Sequence, residues 1–232
     1  MVCEMERQGE RESATGGLGS LRALGSELSA LMRVVGTLPW RSLGCDTLDQ
    51  TDLHPVPVVF VHGLFGDPTN FVALRRHLTR HGVRRFSSFT YGPRVDYQRL
   101  ASALHEHLVA VCDAADTSRV DVVGHSLGGL VARYLVQTSG GGLVRRLVTL
   151  GTPYLAATNP EQELAIFARH DVLVPPPSDR IPRRLQVVDA CGHLGLLTEA
   201  ASLGAVVGYL TRTALFRRRV NPVVRLDAAA AR

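Results

Sequence analysis

Gly124-His125-Ser126-Leu127-Gly128 fits the pattern G-x-S-x-G and stands between an apolar β-branched run, VDVV, and an amphipathic one, LGGLVARYLVQ. A serine hydroxyl is a weak nucleophile until a neighbouring base takes its proton and a rigid backbone aims it at a carbonyl. A sharp strand-to-helix turn does the aiming, and it demands tiny residues two before and two after the serine. Gly124 and Gly128 meet that demand, and Gly129 adds clearance. The helix that follows presents unpaired N–H groups to any oxyanion forming beside Ser126. The competing reading of the pentapeptide is an ordinary glycine-rich turn.

Such a site needs an acid and a base, in the chain order Ser, acid, His. Asp171 lies just past one predicted strand and His193, in Cys191-Gly192-His193, just past the last. Asp189 falls inside that last predicted strand, too close in sequence to His193 to orient its ring, and Asp179 in a proline-rich loop is the reserve acid. His170 reads as a strand-end filler and His125 as a wall of the pocket. Acyl transfer also needs two N–H donors converging on one oxygen. The backbone N–H of Leu127 offers one, and that of Leu64 or Phe65, in His62-Gly63-Leu64-Phe65-Gly66, offers the other.

The elements that must position these residues follow from hydrophobic patterning. VVFVHG (58–63), RVDVVGHS (119–126), VRRLVTLG (144–151), LAIFARH (164–170) and LQVVDACG (185–192) are short, strongly apolar runs, as in strands buried on both faces, and RRFSSFTYG is a weaker one. Between them run helical patterns: one opening at Asn70 and closed by Gly82, one opening after Asp96, the LGGLVARYLVQ segment, and one with Leu203, Val206, Val207 and Leu210. Apolar strands alternating with amphipathic helices predict an α/β fold, a mostly parallel sheet with helices on both faces. Chemistry in such a sheet sits at the C-terminal strand ends, where Ser126, Asp171, His193 and Leu64 all fall.

The 232 residues, 45% hydrophobic and 20% charged, fit one globular domain and exclude collagen-like, coiled-coil and disulfide-scaffold classes. The 26 basic residues are all arginine and outnumber the 21 acidic ones, for a net charge of +5. They are scattered in pairs, which argues for solvated faces and against nucleic-acid binding. The four cysteines show no metal-ligand spacing and read as free thiols. Neither a secretory signal nor a membrane span is legible, so a cytoplasmic location is the expectation. Residues 1–17 read as a disordered arm and 18–55 as a helix (Leu21, Leu24, Leu28, Leu31, Val35) with a linker. Residues 56–212 read as the catalytic domain and 213–232 as a basic tail.

VVFVHGLFG, VDVVGHSLGGLVARYLV, RRLVTLGTP and ARHDVLVPP…CGHLGLL together resemble the α/β-hydrolase superfamily, and HGLFG, GHSLGGLVARY and LVTLGTP resemble its bacterial lipase and esterase branch. The resemblance covers about residues 56–212. It implies the α/β-hydrolase fold, Ser126 as nucleophile, Asp171 as acid, His193 as base, and Leu64 with Leu127 as oxyanion donors. The implied reaction is hydrolysis of small ester or lipid substrates through an acyl-enzyme, with no metal or cofactor. The chain departs from that branch after Pro153, where roughly ten residues separate two strands, close to the minimum for a parallel crossover and too few for a lid. Tyr154 also stands where such lipases often carry histidine. An open site acting on short or soluble esters is therefore expected. Thioesterase or acyltransferase chemistry would use the same residues, and a non-catalytic binding domain is the rival class. The arginine-rich C-terminus, with Arg217 to Arg219, is a candidate for weak membrane-surface contact. The oligomeric state is not legible.

Overall fold

Residues Val58–Val61 are all buried, and their side chains divide between two cores. Val58 and Phe60 join one cluster, while Val59 and Val61 join the other. This is the period-two alternation of a strand covered on both sides. The computed structural model describes residues 46–48, 52, 54–92, 96–154, 161–178 and 184–212. Within them lie strands β1 (Thr47–Leu48), β2 (Val58–Val61), β3 (Arg85–Phe89), β4 (Val120–His125), β5 (Val144–Leu150), β6 (Glu163–Ala168) and β7 (Leu185–Val188). The helices are α1 (Val72–Arg80), α2 (Tyr97–Ala114), α3 (Leu127–Thr138) and α4 (Ala200–Thr211). The strands form one sheet in the order β1-β3-β2-β4-β5-β6-β7, parallel except for β1.

The helices supply the cover that a parallel sheet requires. Leu74 and Leu78 of α1 and Leu203, Val206, Val207 and Leu210 of α4 pack over Phe60, Val123, Val148 and Ile166. On the opposite face, Leu104 and Leu108 of α2 and Val131 and Leu135 of α3 pack over Val59, Val122 and Leu147. Register pairs Val61 with Gly124, His125 with Leu150 and Ala168 with Val188, which brings the C-terminal ends of the central strands to one edge.

Three details differ from the sequence reading. Thr47–Leu48, inside the stretch read as linker, pairs antiparallel with β3. Two residues are too short to show a pattern, and the strand exists because an edge needs partners for its polar backbone. Asp52 serves the same edge, accepting the N–H groups of Arg84 at 2.6 Å and Arg85 at 2.9 Å. The first helix begins as a 3-10 turn at Pro68–Phe71, capped by Asp67, before α1. Finally, β7 ends at Val188, so Asp189 lies beyond the strand, where it pairs with Arg169 at the surface.

Buried charge links Pro153, past the end of β5, to Glu163, at the start of β6. Arg133 of α3 donates to both oxygens of Glu163 (Nε at 3.1 Å to each, Nη2 at 2.8 Å to Oε1) and to the Pro153 carbonyl at 2.6 Å. Thr149 also donates to Glu163, at 2.6 Å, and the Tyr154 ring lies 4.2 Å from the guanidinium. A buried ion pair is tolerated when hydrogen bonds of this kind engage both partners. Residues 155–160, the helix expected at Leu21–Val35, Asp179 and the expected basic tail with Arg217–Arg219 lie outside the described residues. Among the described residues, no helix is long and apolar enough to cross a membrane.

Candidate active site

Ser126 sits between β4 and α3 at φ 53°, ψ −120°, a conformation that side chains other than glycine's rarely adopt. Such strain costs about 1–3 kcal/mol and persists only where the surroundings enforce it. Here they do. A Cβ on Gly124 would lie 2.5 Å from the Gly129 Cα, and one on Gly128 would lie 2.2 Å from the Val61 carbonyl oxygen. Ser126 itself is pinned through its main chain. Its N–H donates to Leu150 at 2.9 Å, and its carbonyl accepts from Gly129 at 3.1 Å, Leu130 at 3.2 Å and the Thr152 hydroxyl at 3.1 Å. At the first position of α3, the Leu127 N–H has no intrahelical carbonyl to reach.

Across from it, the loop after β2 makes a turn closed by Gly66 N–H to Gly63 O at 3.0 Å. Leu64 and Phe65 are its corners, Phe65 at φ 57°, so the turn itself uses neither of their N–H groups. His62 steadies this loop. Its Nδ1–H donates to the Gly63 carbonyl at 2.9 Å, its ring stacks on Tyr91 at 4.4 Å, and the Tyr91 hydroxyl donates to the His62 carbonyl at 2.5 Å. Burial pushes the His62 imidazole below its usual range and the Tyr91 phenol above its own.

Asp171 lies past the end of β6 and His193 past β7, both buried. The His193 Nδ1–H donates to Asp171 Oδ2 at 2.7 Å. The other oxygen, Oδ1, accepts the N–H groups of Leu173 at 2.9 Å and Val174 at 2.8 Å. Asp171 therefore fixes both the rotamer and the tautomer of His193 and leaves Nε2 as the proton-accepting nitrogen. The His193 ring packs on Gly151, where a Cβ would come within 3.0 Å of it. His125, read from the sequence as a pocket wall, does more than fill space. Its ring lies 4.7 Å from that of His193, and its Nε2–H donates to the His193 carbonyl at 3.3 Å. Burial, then the neighbouring His193, push the His125 imidazole down to about 3. No spacing in the sequence announces that contact, because the two residues meet only through folding.

Asp189 turns to Arg169 and not to His193, while Ser126, Asp171 and His193 follow β4, β6 and β7 respectively. Leu64 and Phe65 and, across the site, Val172 and Leu173 are four of the six exposed large hydrophobics among the described residues. Phe65 is 85% and Val172 92% exposed, so the lips of the site are apolar.

The chain is similar in sequence or in fold to several known proteins. The sn-1-specific diacylglycerol lipase of Danio rerio is 31% identical over 136 residues, 55% of this chain and 40% of its own. A candidate esterase/lipase of Haemophilus influenzae is 33% identical over 89 residues, 36% of this chain and 29% of its own. This chain thus spans less than half the length of either relative. An esterase from Exiguobacterium antarcticum superposes with a TM-score of 0.52 at 16% identity, over 68% of this chain and 92% of that one. Aspergillus fumigatus lipase B does so with a TM-score of 0.56 at 13% identity, over 71% and 54%. At those identities the two structures bear on the fold alone. The family model described as the alpha/beta hydrolase family matches residues 58–230, and this chain belongs to that family.

Proposed function

We propose that this protein is a serine hydrolase that cleaves carboxylic esters through an acyl-enzyme. The observation that carries the reading is the Asp171–His193 hydrogen bond of 2.7 Å, formed at the same sheet edge as a serine held at φ 53°. A buried carboxylate on Nδ1 has an evident chemical use when Nε2 must accept and return a proton. In the proposed reaction, His193 Nε2 takes the Ser126 hydroxyl proton as Oγ bonds to the ester carbonyl carbon. The carbonyl π electrons move onto oxygen, where the N–H groups of Leu127 and Leu64 receive the negative charge. Collapse of that intermediate expels the alcohol, which leaves with the proton from His193. Water then repeats the steps and releases the acid.

The apolar lips formed by Leu64, Phe65, Val172 and Leu173 favour substrates with an apolar acyl or alcohol group. The names of the two sequence relatives, a diacylglycerol lipase and a candidate esterase/lipase, point to the same class. The test is labelling with a fluorophosphonate probe, followed by peptide mapping and a chain-length series of 4-nitrophenyl esters. The expected adduct is on Ser126, with turnover of the esters abolished in Ser126→Ala. A folded protein that neither labels nor hydrolyses any ester of the series overturns the reading.

A further inference from the structure

His125 immediately precedes Ser126 in the chain, yet its side chain spends its hydrogen bond on the backbone of His193. A carbonyl can only accept, so Nε2 carries the proton and Nδ1 a lone pair. Nδ1 is buried without a hydrogen-bond partner and faces the loop after β2, 3.0 Å from the place a Cβ on Gly63 would take. A second proton would therefore put a charged N–H into a site with no acceptor, which holds the ring neutral. The groups facing it are His193, Asp171 and His62, and none of them accepts from Nδ1.

His193 needs two fixed points to present Nε2 to Ser126. Asp171 fixes the ring through Nδ1, but that contact alone leaves the ring free to pivot with its own main chain. The His193 backbone arrives from β7, the edge strand three places from β4 in the sheet, so its distance from Ser126 is not set by strand pairing. We infer that His125 is a positioning residue: its neutral Nε2–H ties the main chain of His193 to the main chain of Ser126 and sets the separation of base and nucleophile. This rests on the ester-hydrolase reading above and adds a residue to it. A misplacement of about 1 Å at a reacting group can cost about a hundredfold in rate.

The geometry specifies which replacements work. A glutamine amide nitrogen falls where Nε2 does, whereas an asparagine amide nitrogen falls where Nδ1 does. His125→Gln should therefore keep kcat near that of the parent on 4-nitrophenyl butyrate. His125→Asn and His125→Leu should each lower kcat about 10- to 100-fold with KM little changed, since the substrate's own contacts remain. Circular dichroism and thermal melts report folding in each variant. Equal kcat in the Gln and Asn variants, or parent-level kcat in the Leu variant, overturns the assignment. If the Leu variant does not fold, the Gln and Asn pair decides. Fluorophosphonate labelling of the parent separates the two levels: a parent that labels at Ser126 but shows no Gln–Asn difference sinks the role of His125 alone, and an unlabelled parent sinks the hydrolase reading.

Discussion

Two histidine–aspartate pairs stand at opposite ends of the same sheet. At the C-terminal end, His193 meets Asp171 at 2.7 Å; at the N-terminal end, His54 meets Asp121 at 2.9 Å. Both carboxylates are buried, Asp121 completely. What differs is the rest of each carboxylate's surroundings. Asp121 is clamped by Arg145, whose Nε lies 2.9 Å from Oδ1 and whose Nη2 bonds Oδ2. Arg145 in turn caps the Leu210 carbonyl near the end of α4. Among the described residues, the hydrogen-bond partners of the Asp171 carboxylate besides His193 are neutral, the N–H groups of Leu173 and Val174. A permanent cation absorbs the charge of Asp121, while in the proposed reaction the charge of Asp171 stays available to the imidazolium of His193. Under the proposed function the same two residue types serve cohesion in one place and chemistry in the other, and the third partner decides which.

The largest test of that contrast replaces each carboxylate by its amide. Asp171→Asn should lower kcat by about 10⁴-fold, because the amide reverses the tautomer of the ring it holds. Its melting temperature should move little. Asp121→Asn should do the opposite, leaving kcat of the folded protein intact while lowering the melting temperature, since an amide cannot balance Arg145. Steady-state kinetics with a thermal melt on both variants reads this directly. Loss of activity in the Asp121 variant at full folding would erase the distinction between the two ends.

Removing the cation is the next largest. Arg145→Met removes the clamp on the buried Asp121 and leaves His54 as its hydrogen-bonded side-chain partner among the described residues. Breaking a buried pair in this way costs about 3–5 kcal/mol, and the lower end applies because Arg145 is 22% exposed. Urea unfolding should show that loss, with kcat of the folded fraction unchanged.

These contrasts also show which parts of the molecule its sequence displays. Val58–Val61 and Val120–His125 are legible as strands because both faces are buried and runs of apolar β-branched residues mark them. Asp171 and His193 are legible as candidates because parallel sheets gather chemistry at strand ends, which cuts the search to a few positions. Thr47–Leu48 is not, because a two-residue edge strand owes its existence to the unpaired backbone of β3 and not to its own pattern. Nor is the grip of Arg133 on Glu163 and Pro153, or that of His125 on His193, since each joins segments whose approach is fixed only by the assembled sheet.

A smaller effect concerns pH. His125 is pushed down to about 3 in the folded protein, against an ordinary 6.5 in the unfolded chain. Between those values the unfolded chain binds a proton that the folded one does not, so stability is full above about pH 6.5 and falls as pH drops toward 3. One such group contributes a slope of up to about 1.4 kcal/mol per pH unit. His62, lowered in the same direction, adds to it. His125→Gln should flatten the acid side of a stability–pH curve measured by urea unfolding between pH 4 and 7. An unchanged slope would mean that the ring titrates without cost and is less enclosed than its position implies.

The smallest effect sharpens the functional end of the comparison. Leu173 binds Asp171 only through its backbone N–H, and its side chain is 72% exposed. Leu173→Ser keeps that N–H, so the Asp171–His193 pair stays in place and stability should change by less than about 0.5 kcal/mol. If the side chain is part of an apolar lip that meets the substrate, its loss should appear only where there is hydrocarbon to meet. KM for 4-nitrophenyl octanoate should rise about fourfold, the equivalent of roughly one buried methylene at 0.8 kcal/mol. KM for 4-nitrophenyl acetate should hold. An equal rise for both esters would place the effect in the Asp171 loop itself and tie the exposed leucine to the order of the site instead of to substrate hydrocarbon.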